Sequence, residues 1–143
     1  MEATVILCDF AEAINGKLYV MGGGWNTLFA PGQPVNIALG SIITVPWDRT
    51  EQNHEIRIEL IDSYGEAMVI GDDPVVILSQ LEVGRPPGVK PGTSLSAPVT
   101  SAFNGLTLDA GLYEFKLSVN GDVLASRPFT VQDPPDWMPD PLD

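Results

Sequence analysis

Along this chain, apolar residues recur at every second position in short runs, and Gly, Pro, Asn and Asp fall between the runs. Alternation of this kind places one row of side chains on each face of a pleated strand. The run from Tyr113 to Val119 shows it best. Tyr113, Phe115, Leu117 and Val119 share one face, while Glu114, Lys116 and Ser118 share the other. Asn120-Gly121 follows at once and supplies the positive φ angles of a type I′ turn, so Asp122 to Val131 is expected to return as the partner strand. A one-residue slip would turn Phe115 outward, which pins the register.

Two more hairpins are expected from the same signals. Thr4 to Phe10 is an apolar run to which Lys17 to Met21 returns after Asn15-Gly16. Glu55 to Ile61 alternates, with Ile56, Ile58 and Leu60 inward, and Asp62-Ser63-Tyr64-Gly65 turns it into Glu66 to Val69. Val35 to Val45 and Pro74 to Val83 are nearly continuous in Val, Ile and Leu, as strands buried on both faces are. Gly40 and Ser41 predict a bulge or bend inside the first of these. A helical turn is expected only over Asp48 to Asn53, with Asp48 as its cap. Arg85 to Gly92 reads as a stiff surface connection, because its three prolines fix φ and remove donors. Together these runs predict an all-β fold, an antiparallel immunoglobulin-like two-sheet sandwich with Greek-key links, with a closed β-barrel as the alternative. Leu108 to Tyr113 resembles the entry to a late strand of such domains, where a Tyr hydroxyl bonds the corner backbone.

Composition narrows the classes. The chain has 143 residues, 44 % of them hydrophobic, with 7 basic and 19 acidic side chains giving a net charge of −12. That apolar content excludes a disordered chain, and the acidity argues against nucleic-acid or anionic-membrane partners. A single domain over 1–131 is expected, followed by a Pro/Asp-rich tail over 132–143 that holds four Asp, four Pro, Trp137 and Met138. Removing the four tail acids leaves 15 acidic against 7 basic residues, a body charge of −8, so the acidity is spread over the chain. One Cys forms no internal disulfide, and the opening residues lack a signal-peptide pattern, so a cytoplasmic location is expected.

Two sequence blocks carry a family resemblance. Cys8-Asp9-Phe10-Ala11 leads into Gly16-Lys17-Leu18-Tyr19-Val20-Met21-Gly22-Gly23-Gly24-Trp25, and Val45-Pro46-Trp47-Asp48 is followed by His54 and Ile56 to Asp62. With the hairpin around Gly111 to Val119, these blocks resemble a family of small uncharacterised bacterial proteins. The resemblance implies a β-rich cytoplasmic domain and lends no catalytic residue.

Catalytic chemistry finds little to build on. Nucleophilic catalysis needs a Ser or Cys beside a base, and the chain has one His, His54, and one Cys, Cys8, which sits in an apolar strand. One of each cannot close a zinc site, and Asp62, Asp72 and Asp73 lack the spacing of a calcium loop. No catalytic residue, metal or cofactor is therefore expected. Gly22-Gly23-Gly24 precedes a strand-like run rather than a helix, so it reads as a corner between sheets and not as a phosphate loop. Glu59 and Glu114 fall on solvent faces. Trp25, Trp47, Trp137 and Met138 are the candidate binding residues, with Trp47 also placed to plug the core edge and Asp48 and Arg49 to pair at its rim. The expected function is a non-enzymatic interaction or assembly domain whose partner is another protein or a second copy. A small-ligand or carbohydrate binder is the alternative, and an unrecognised hydrolase ranks last.

Overall fold

A computed structural model of the chain describes residues 1–138. Its strands are β1 (Glu2–Cys8), β2 (Phe10–Ile14), β3 (Lys17–Met21), β4 (Thr27–Leu28), β5 (Pro34–Val45) and β6 (Asn53–Ile61), then β7 (Val69–Ile70), β8 (Asp73–Pro74), β9 (Val76–Glu82), β10 (Leu95–Thr107), β11 (Gly111–Val119) and β12 (Asp122–Val131). Strands β1-β5-β10 form one sheet and β4-β12-β11-β6-β9 the other, while β2-β3 and β7-β8 are separate two-stranded ribbons. Among the described residues no sheet closes on itself, so the fold is a sandwich and not a barrel. Pairing is antiparallel except where β4 lies parallel to β12. Neighbours such as β5 and β10 are distant in sequence, because the chain crosses repeatedly between the sheets. No helix among the described residues is long and apolar enough to cross a membrane.

The inner faces supply one core. Val5, Leu7, Ile37, Leu39, Ile43 and Val45 meet Ile56, Ile58, Leu60, Phe115, Leu117 and Phe129 from the opposite sheet. At its centre, Phe115 lies 5.1 Å from Phe103 and 5.4 Å from Phe129, so aromatic contact ties β10 to β11 and β12. The hydroxyl of Tyr113 donates to the Asp109 carbonyl at 2.8 Å, the corner bond expected at the entry to β11. The hairpin of β11 and β12 turns at Asn120 (φ 52°) and Gly121 (φ 88°), as the Asn-Gly pair predicts.

Five local expectations change. In the second hairpin, Glu66 to Val69 forms no strand on β6 beyond the isolated Ile61–Ala67 bridge, and Val69 pairs with Pro74 in place of it. The first hairpin does not use the whole run from Thr4 to Phe10. Asp9 breaks that run, so β1 pairs with β5 and the strand returning from Asn15-Gly16 pairs with β2. Strand β5 carries no bulge at Gly40-Ser41, because its register against β1 and β10 runs unbroken there. The irregularity lies in β10 between Phe103 and Leu106, where the Gly105 N–H donates to the Asn36 side chain. The run from Pro74 to Val83 supplies β9, an edge strand with Leu78 68 % exposed, since an apolar run does not tell an edge from a centre. The turn at Trp47–Arg49 is a 3-10 turn entered from Pro46, without a capping bond from Asp48.

Gly40 marks a close approach. On the outer face of β5, a Cβ at Gly40 would come within 3.1 Å of Val20 Cγ2 and 3.3 Å of both Leu18 Cδ2 and Ile6 Cγ2. The β2-β3 ribbon therefore lies flat on this sheet with its inner row over Gly40, and it covers Ala38 and Cys8 as well. Gly40→Val is expected to lift the ribbon and to lower stability by about 1–3 kcal/mol, the usual cost of overpacking. Denaturant unfolding would measure that loss, and hydrogen exchange would place the faster amides in β2 and β3 while β11 stays protected.

Candidate interaction surface

The β2-β3 ribbon leaves and rejoins the sheets through polar and glycine-rich backbone. The Asp9 N–H donates to the carbonyls of Met21 (3.1 Å) and Gly22 (3.2 Å), and the Gly24 N–H donates to Leu7 at 2.9 Å. Gly22 sits at φ 63°, and a Cβ there would run into the Asp9 carboxylate. The glycine triplet is therefore the corner from ribbon to opposite sheet that its composition predicts.

Cross-strand pairing sorts the ribbon's side chains. Ala11 faces Val20 and Ala13 faces Leu18, and this row rests on the sheet below. Phe10 pairs with Met21, Glu12 with Tyr19 and Ile14 with Lys17, and this row points away from it. Phe10 is 51 % exposed, Ile14 42 %, Tyr19 51 % and Met21 68 %. Four large apolar side chains thus share one face of a ten-residue ribbon whose other face packs Ala11, Leu18 and Val20, each partly buried, toward the sheet. A concentration of this kind marks an interaction site more often than scattered surface residues do. The alternation pattern does not display this row, because Thr4 to Phe10 reads as the partner of Lys17 to Met21, whereas Phe10 to Ile14 takes that place. The signal lies in the two-residue Asn15-Gly16 loop, which fixes the pairing and shows apolar residues on both faces.

The residues singled out from sequence lie apart. Trp25 packs edge-on against Phe129, with centroids 6.2 Å apart and planes at 87°. Its Nε1 is buried without a hydrogen-bond partner among the described residues, beside a groove of about 380 Å³ lined by Ile6, Leu7, Gly24, Asn26, Arg127 and Pro128. Trp47 follows the Val45 end of β5, and its ring face is covered by the Arg85 guanidinium 4.0 Å from the centroid. Arg85 also donates to the Trp47 carbonyl and to Thr50 Oγ1, both at 2.7 Å, so Trp47 is a covered plug and not an open platform. Arg85, not Asp48, supplies the charged partner at this rim, with Glu51 Oε2 3.8 Å away. In the tail, Trp137 is 78 % exposed and Met138 is half-buried, its N–H donating to Pro135 at 2.9 Å. The remaining tail positions, 139–143, lie outside the described residues.

The interior polar groups serve the fold. His54 is buried between two partners, its Nε2–H donating to the Arg49 carbonyl at 2.7 Å and its Nδ1 accepting from the Asn120 amide at 2.9 Å. Asn120 is held in turn by the Glu55 N–H, which donates to its Oδ1 at 2.9 Å. Cys8 pairs with Ala38, at the end of β5 remote from Val45, and its thiol donates to the Ala38 carbonyl at 3.5 Å. The sole thiol and sole imidazole therefore occupy opposite ends of the sandwich. Asp62 Oδ1 accepts from the N–H groups of Tyr64 and Glu66, closing its turn. Among the described residues, no three His, Cys, Asp or Glu side chains gather to hold a metal ion.

Burial pushes the Cys8 thiol above its ordinary 9.0, with the Asp9 charge adding to the shift, and burial likewise raises the Tyr113 phenol above 10.0, helped by Asp109. Both groups stay protonated in the fold at a pH where the unfolded chain ionises them. Stability from Cys8 is therefore complete below pH 9.0 and falls as pH rises through the folded value. Denaturant titrations at rising pH should show the wild-type chain losing stability faster than Cys8→Ala above that point. Parallel curves would remove the thiol as the cause.

No curated protein matches the chain. A family model described as a family of unknown function, DUF6941, matches residues 3–132, a span that holds all of the strands from β2 to β12 and nearly all of β1. The chain belongs to that family.

Proposed function

We propose that this chain is a non-enzymatic protein-interaction domain, an immunoglobulin-like sandwich that docks through the outer face of its β2-β3 ribbon. The observation that carries this reading is the row of Phe10, Ile14, Tyr19 and Met21 exposed on one face. Burying such side chains contributes about 25 cal/mol per Å² of apolar surface, which gives the face its binding energy. The immunoglobulin-like description is supported by the order β1-β5-β10 against β4-β12-β11-β6-β9 and by the Tyr113–Asp109 corner bond. The reading also accords with the interior, where His54 and Cys8 are both spent on structural hydrogen bonds.

A photo-cross-linking residue in place of Tyr19 is expected to capture a protein covalently in the source cell, whereas the same residue in place of exposed Gln52 captures none. Equal capture at both positions, or none at either, would sink the proposal.

A second reading rests on the orphan Nε1 of Trp25 beside its groove. A buried donor left unpaired costs about 1–3 kcal/mol, and a sugar hydroxyl or carbonyl oxygen entering the groove would relieve that cost after a small shift of the ring. A sugar that prefers the native state should then raise the thermal midpoint of the wild-type chain and leave that of Trp25→Phe unchanged. Equal midpoints with and without a broad sugar panel would dismiss this reading.

A further inference from the structure

We infer that the partner of the β2-β3 ribbon is a second copy of this chain, the two ribbons stacking face to face about a two-fold axis. This rests on the interaction reading above and goes further by naming the occupant. The argument comes from the register. The outward pairs are Phe10 with Met21, Glu12 with Tyr19 and Ile14 with Lys17. A two-fold axis in the interface, running along the ribbon midway between its strands, lays each residue over the cross-strand partner of its equivalent. Phe10 then meets Met21 of the second copy, an aromatic ring against a thioether. Glu12 meets Tyr19 of the second copy, where the phenol donates to the carboxylate. Ile14 meets the aliphatic stem of Lys17 of the second copy, leaving that ammonium free to reach water. An axis across the ribbon instead would set Glu12 on its own equivalent, so charge selects the first arrangement.

Net charge points the same way. The whole chain carries −12, and most approaches between copies are repulsive. The outward face of the ribbon carries one Glu and one Lys and sums to zero, so it is a place where two copies approach without local repulsion.

Size sets the strength. Five residues at about 3.4 Å each make a face roughly 17 Å long, small beside the ~800 Å² per partner of a standard interface. The dimer is therefore reversible and dissociates on dilution.

Sedimentation over a range of concentrations tests this. The wild-type chain should form a dimer reversibly, and Tyr19→Glu, which sets two carboxylates against each other, should weaken it at least about tenfold with an unchanged circular dichroism spectrum. Adding Glu12→Lys to Tyr19→Glu should restore dimerisation. An independent arm needs no charge reversal: a Phe10→Cys chain mixed with a Met21→Cys chain should form an interchain disulfide on mild oxidation, and Met21→Cys alone should not. A chain that stays monomeric at every concentration, a dimer indifferent to Tyr19→Glu, or a mixture that fails to cross-link overturns the inference. If the chain is monomeric yet the cross-linker at position 19 captures a different protein, the second-copy inference falls and the interaction reading stands.

Discussion

Burial of the middle of β5, Ile37 to Ser41, on both of its faces is the constraint on which the rest of this fold depends. Its odd positions, Ile37, Leu39, Ile43 and Val45, enter the core between the sheets. Of its even positions, Ala38 and Gly40 are buried on the other face and would meet solvent if the sheet β1-β5-β10 stood alone, while Asn36 and Ile42 on that face stay exposed. A three-stranded sheet has no further strands or helix to cover that side. The β2-β3 ribbon supplies the cover, and small residues at 38 and 40 let it approach closely. Ile6 and Cys8 of β1, on the same outer face, join Leu18 and Val20 in a second, smaller apolar layer. From the core outward there are therefore two layers on one side, the sheet β1-β5-β10 and the ribbon over it, and one on the other.

That arrangement explains why the candidate surface sits where it does. A two-stranded ribbon is only marginally stable by itself and must pack one face to persist. This ribbon packs Ala11, Leu18 and Val20, which is sufficient reason for those three residues. It gives no reason for Phe10, Ile14, Tyr19 and Met21 on the opposite face, where Thr, Lys or Glu would serve the same backbone without exposing apolar surface. The excess lies in the layer farthest from the core, so a partner can reach it without disturbing the central aromatic contacts of Phe103, Phe115 and Phe129.

Much of this was legible before any coordinates. Period-two burial placed Phe115, Ile58 and Leu60 inside, and the Asn120-Gly121 dipeptide placed the last hairpin because only a turn with positive φ joins strands across two residues. The nearly continuous apolar run from Val35 to Val45 predicts burial of β5 on both faces, which holds from Ile37 to Ser41, whereas Asn36 and Ile42 are exposed. Pairing partners were less legible. Asp9 splits one apolar run into two strands with different neighbours, and that split depends on tertiary contacts that no local propensity encodes. Gly40 illustrates the same limit: absence of a side chain is equally consistent with a bulge and with a close approach, and only the ribbon above it decides. The exposed ribbon face follows from strand pairing, which local pattern does not encode, and residue type alone does not reveal that Arg85 covers Trp47 and Phe129 flanks Trp25.

The buried polar groups bear on function through their commitments. Ser41 donates to the Val99 carbonyl at 2.6 Å, tying β5 to β10, and Thr50 donates to the Trp47 carbonyl at 2.6 Å, closing the 3-10 turn. His54 and Asn120 bind the start of β6 to the β11-β12 turn, and Tyr113 holds the corner before β11. Each of these would lose a structural bond if it left its partner for a substrate, and a buried polar group stripped of its partner costs more than the bond itself contributes. Reactive side chains of the interior are in this way converted into joints between strands.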